Sequence, residues 1–99
     1  MLRIFSALLA AIVLSNMTAS AGIIRGAYVG CLTKQALDEF IGAAVKKDER
    51  HMAALMNRQC FAIEGREFSV VKAGFIKSQI RVYAGGDSVL LWVPSEAAR

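Results

Sequence analysis

A single histidine, two cysteines and one proline are spread over 99 residues, and each scarcity closes off a class of chemistry. Two cysteines and one distant histidine make no recognisable zinc spacing, so neither a metal nor any other cofactor is expected. No serine or cysteine stands in a nucleophile-elbow or dyad context. There is no phosphate-cradling glycine loop and no calcium loop. His51, between Arg50 and Met52, reads as an ordinary surface or half-buried residue. Glu64 and Glu67 flank Gly65-Arg66 and read as a solvated turn rather than an acid-base pair. The sequence therefore argues against an enzyme.

Long apolar stretches are equally scarce. The one at the start runs from Ile4 to Leu14 behind Met1-Leu2-Arg3 and gives way to Ser15, Asn16, Thr18 and Ser20. A leading positive charge, a short apolar run and the small-x-small triplet Ala19-Ser20-Ala21 predict a secretory signal peptide over residues 1–21, cleaved after Ala21. The run is shorter than the ~20 apolar residues of a spanning helix, so no stable membrane insertion is expected once the signal is gone. Residues 22–99 are then one small domain, and a chain of that size buries only about 60% of its unfolded surface. A covalent staple offsets that shortage. Both cysteines, Cys31 and Cys60, lie in the mature part, and export to an oxidising compartment predicts a disulfide between them.

Between the cysteines, Leu37, Phe40, Ile41, Ala44 and Val45 recur at the spacing of one helical face, with Thr33 as N-cap. A second, shorter helix is capped by Asp48, begins with Glu49 and carries the core stripe Met52, Leu55 and Met56. An antiparallel arrangement about Lys46-Lys47-Asp48 returns Cys60 to Cys31, so residues 30–60 read as a disulfide-closed helical hairpin. Past Cys60 the segments "CFAI", "EFSVVKA", "FIKSQIRVYA" and "SVLLWV" are rich in β-formers and separated by glycine turns. The fold class is therefore α+β: a helical hairpin followed by a small antiparallel sheet over residues 60–99. In the third segment Ile76, Ser78, Ile80, Val82 and Ala84 form the buried face. Lys77, Gln79, Arg81 and Tyr83 form the wet one. In the fourth, Leu90 and Trp92 share an alternation and are expected inside, and Gly85-Gly86 suits a tight hairpin.

That ending, a glycine-rich hairpin followed by "LLWVPSEA", resembles the close of Src-homology-3 domains, including those of exported bacterial proteins. The likeness spans Cys60 to Arg99, without the tyrosine that usually follows the Pro-Ser pair and without an acidic, tyrosine-rich first strand. It implies a small Src-homology-3-like barrel in which Pro94 helps line an aromatic groove for proline-rich or cell-wall peptides. As a whole, the mature chain resembles small exported proteins of Gram-negative bacteria. The candidate ligand-binding residues are Tyr83, Arg81, Lys77 and Pro94. Basic residues at Lys46, Lys47, Arg50, Lys72, Lys77 and Arg81 suit an anionic envelope polymer or an acidic protein face, and an exported chain seldom meets nucleic acid. The expected function is a non-enzymatic periplasmic binding or adaptor module, with a periplasmic protein, a cell-wall peptide or an anionic polymer as partner. The alternative is an inhibitor or immunity protein against a toxin or lytic enzyme.

Overall fold

A computed structural model describes residues 21–99; the signal peptide expected over 1–21 lies, except for Ala21, outside the described residues. The elements are β1 (Ala21–Ile23), β2 (Val29–Cys31), α1 (Lys34–Val45), α2 (Glu49–Leu55), β3 (Cys60–Ala62), β4 (Glu67–Lys72), β5 (Lys77–Ala84), β6 (Asp87–Pro94) and a final 3-10 turn, Ser95–Ala98. The α+β class is as the sequence predicts. So are both helix starts: the Thr33 hydroxyl accepts from the Ala36 N–H at 3.0 Å and the Asp48 carboxylate from the His51 N–H at 3.1 Å. Each satisfies an amide that the first helical turn leaves without a partner. Lys47, at φ 58°, takes the left-handed conformation that turns α1 back into α2.

The six strands form an antiparallel sheet in the order β1-β4-β5-β6-β2-β3. Here the structure adds to the sequence reading, because β1 and β2 precede the helices and belong to the sheet. β1 pairs with β4 from Ala21↔Ser69 to Ile23↔Glu67, and β2 pairs with β3 from Val29↔Ala62 to Cys31↔Cys60. Between those ladders, Ile24 donates to Arg66 O and accepts from Gly65 N at 2.9 Å each, and Ile63 donates to Tyr28 O at 3.1 Å. The run 21–31 is thus bonded along the run 60–69, while the far edge of β2 meets β6 at Cys31↔Trp92. The sheet bends round on itself. Its concave side holds Ile24, Ile63, Phe68, Ile80, Val82, Leu91 and Val93. Gly30 makes the closure possible: a Cβ there would lie 3.0 Å from Leu91 Cδ1 and 3.1 Å from its Cβ.

The expected faces of β5 hold at Ser78, Ile80 and Val82, which are buried, but Ile76 and Ala84 at its ends are exposed. On β6 the expectation is reversed. Leu91 and Val93 are buried, whereas Leu90 is exposed and Trp92 half-buried on the outer side. The cause is the turn. Gly85 and Gly86, at φ 58° and 91°, make a two-residue loop closed by Ala84↔Asp87, which sets Ile80 opposite Leu91 and the wet Gln79 opposite Trp92. Trp92 therefore belongs to a second cluster on the convex side, where Cys31, Ala36, Leu37, Leu55 and Cys60 pack with Val29, Phe40 and Met56. The helical hairpin sits there, stapled at its base by the Cys31–Cys60 disulfide.

That staple closes a loop with a sequence separation of 29 residues, for which chain entropy assigns roughly 3 to 4 kcal/mol. The double variant Cys31→Ala/Cys60→Ala should lose about that much in urea unfolding; an unchanged midpoint and slope would contradict the assignment.

Candidate functional site

The apolar face of α1 is only half covered. Leu37 is enclosed, but Ile41 is 38% and Val45 78% exposed. These residues, with Phe40 and Ala44, stand opposite Ala27, Val29 and Pro94 and leave an apolar groove of about 320 Å³. One wall is helix and the other is the end of the sheet. Two devices hold the walls in place. The Lys77 ammonium lies 2.6 Å from Asp38 Oδ1 and ties β5 to α1. Behind Pro94, a partly buried circuit fixes the chain: the Gly74 N–H donates to Ser78 Oγ at 3.1 Å, the Ser78 and Ser95 hydroxyls meet at 2.8 Å, and Ser95 Oγ donates to Gly74 O at 2.8 Å. Gly74 is required there, since a Cβ would fall 1.9 Å from the Lys77 carbonyl oxygen.

The four ligand-binding candidates do not form one site. Pro94 lines the groove, and Lys77 lies opposite it in the β5–β6 register, its charge engaged by Asp38. Tyr83 is six positions further along β5, about 20 Å away at some 3.3 Å per residue. Its hydroxyl is 2.8 Å from Ser69 Oγ, and Arg81 Nη1 donates to Ser88 Oγ at 3.4 Å. Arg81 and Tyr83 thus share a separate polar surface near the hairpin tip. A shallow depression of about 390 Å³ lies there, lined by Arg66, Glu67, Tyr83, Gly86 and Asp87 among others.

The groove residues on α1 were legible as a helical face, but nothing in their spacing says that the sheet is too narrow to cover it. Elsewhere the chemistry is sparse. His51 Nε2 is 3.7 Å from Glu39 Oε2, both well exposed. Glu64 and Glu67 are exposed on either side of Gly65, and among the described residues no group of three or more His, Cys, Asp or Glu could hold a metal ion. No helix among the described residues is long and apolar enough to cross a membrane.

Comparison of the chain with protein-family models, curated proteins and solved structures finds no match in any of the three. The Src-homology-3 likeness rests on the residues quoted for it alone.

Trp92 has a structural part. Its ring packs against the disulfide cluster and carries the Lys34 ammonium 4.6 Å from its centroid. Half-buried, it loses less on truncation than an enclosed aromatic, for which about 3–5 kcal/mol is usual. Urea melts should show Trp92→Ala destabilised by about 2 kcal/mol and Tyr83→Ala by under about 1 kcal/mol; the reverse order would place Tyr83, not Trp92, in the packing between helices and sheet.

Proposed function

We propose that the chain is a non-enzymatic binding or adaptor module of the periplasm, and that its partner is held in the groove between α1 and Pro94. The supporting observation is the groove itself, with large apolar side chains left in water on walls that are already fixed. Its volume of about 320 Å³ lies at the small end of ligand pockets, which run from about 300 to 1,000 Å³. That is room for an apolar side chain or two from a periplasmic protein or a cell-wall peptide. Preset walls lower the ordering cost of binding. The disulfide agrees with an oxidising compartment, and the leader-like first 21 residues supply the route. Lys46 and Lys47, exposed directly after Val45, favour a partner with negative charge beside its apolar anchor.

The test is affinity capture from periplasmic extract with the mature chain and two variants. A partner retained by the wild type and by Tyr83→Ala, but lost with Ile41→Asp/Val45→Asp at an unchanged melting temperature, supports the groove. Loss with Tyr83→Ala alone moves the site to the hairpin tip, and failure of the wild type to retain any partner contradicts the proposal.

A further inference from the structure

β6 is paired along its whole length on one side only. Its ladder with β5 runs from Ala84↔Asp87 to Lys77↔Pro94, but on the other side it meets β2 at Cys31↔Trp92 alone, because the chain turns away after Cys31 to start α1. The lane beside residues 87–91 is open. In a hairpin with a two-residue turn the closing pair exchanges hydrogen bonds and bonded pairs then alternate, so Asp87, Val89 and Leu91 bond to β5. Ser88 and Leu90 direct their N–H and C=O groups into the open lane. Among the described residues, no backbone hydrogen bond outside the strand ladders reaches them.

The other edges are blunted. The edge strands β1 and β3 are three residues long, and β4, which runs past β1 beyond Ser69, carries a register shift there between Val70 and Lys72. Short edges, bulges, lysines and prolines are the usual guards against unwanted strand pairing. The stretch Asp87-Ser-Val-Leu-Leu91 has no lysine, proline or bulge, and its central residues Val89 and Leu90 are each 39% exposed.

We propose that this edge is a docking surface for a second copy of the chain, the two β6 strands pairing antiparallel about a two-fold axis at Val89. Three features of the lane suit a second copy. The parity fits: with Val89 opposite Val89 of the second copy, Ser88 and Leu90 face each other's counterparts, so four hydrogen bonds form and no outward group is left over. The length fits as well. The lane ends at β2 on one side and at the Gly85-Gly86 turn on the other, and five residues paired with the same five fill it without overhang. Charge fits too, since the single charge in the stretch, Asp87, falls opposite Leu91 rather than opposite itself. A two-fold contact of this kind closes on itself and stops at the dimer. It also leaves the α1 groove, at the far end of the hairpin, open on both copies.

The chain has no free cysteine among the described residues, which makes one added thiol a clean reporter. Residues in a non-bonded antiparallel pair have Cα atoms about 4.5 Å apart, so Val89→Cys should form a covalent dimer in air, reversed by reductant, while Tyr83→Cys stays monomeric. Light scattering of the wild type should show the mass rising toward twofold with concentration. Leu90→Pro removes an outward N–H that β5 does not use, so it should abolish the rise at an unchanged melting temperature. A wild type that stays monomeric into the millimolar range, equal cross-linking of both cysteine variants, or a monomer that pairs at this edge only with a different protein would each overturn the proposal.

Discussion

The attachment of helices to sheet converges on Cys31. It is the last residue of β2, stands opposite Cys60 on β3, and is the sole register partner of β2 on β6, at Trp92. Its side chain points to the convex face, into the cluster made with Ala36 and Leu37 of α1 and Leu55 of α2. One position thus joins three strands and anchors the hairpin that begins three residues later. In a domain this small the arrangement matters, because neither apolar cluster alone offsets the chain entropy of ordering the whole. The disulfide removes part of that entropy from the unfolded state from within the cluster that binds the helices to the sheet.

The groove follows from the same geometry. A hairpin tethered at its base lies across the sheet near the tether, where Leu37 and Leu55 are enclosed, and stands clear of it further along α1, where Ile41 and Val45 remain exposed. The sheet is narrow because its strands close on one another, so among the described residues no further strand covers them. Instead Pro94, held by the Ser78–Ser95–Gly74 circuit, forms the opposite wall. The residues that carry the proposed binding are thus a by-product of how a small closed sheet accommodates a twelve-residue helix.

What was legible in the sequence was whatever is decided locally. Thr33 and Asp48 mark helix starts because their side chains act within three residues, and the cysteine pair follows from compartment and count. The short strands β1 and β2 were not legible, since they contain Gly22 and Gly30 and owe their extension to β3, β4 and β6 rather than to β-forming side chains. Gly30 is selected by closeness to Leu91 and Val93, a fact that exists only after folding. The faces of β6 were obscured for another reason: in Ser-Val-Leu-Leu-Trp-Val, apolar residues occupy both alternations. A usable signal lay in the neighbouring strand. Counting back from a two-residue turn places Leu91 opposite Ile80 and Trp92 opposite Gln79, and β5, whose faces are unambiguous, then assigns those of β6. The candidate site was half legible. Pro94 was found and its helical wall was read as the apolar face of an amphipathic helix, while Arg81 and Tyr83 proved to lie at the other end of the hairpin.

If the Cys31 seam is what holds helices to sheet, breaking it should free the helices first. Amide hydrogen exchange on the oxidised and reduced protein measures this residue by residue. Reduction should strip protection from α1 and α2 while the β4–β5–β6 amides keep most of theirs; equal loss throughout, or loss in the sheet with the helices still protected, would contradict the account.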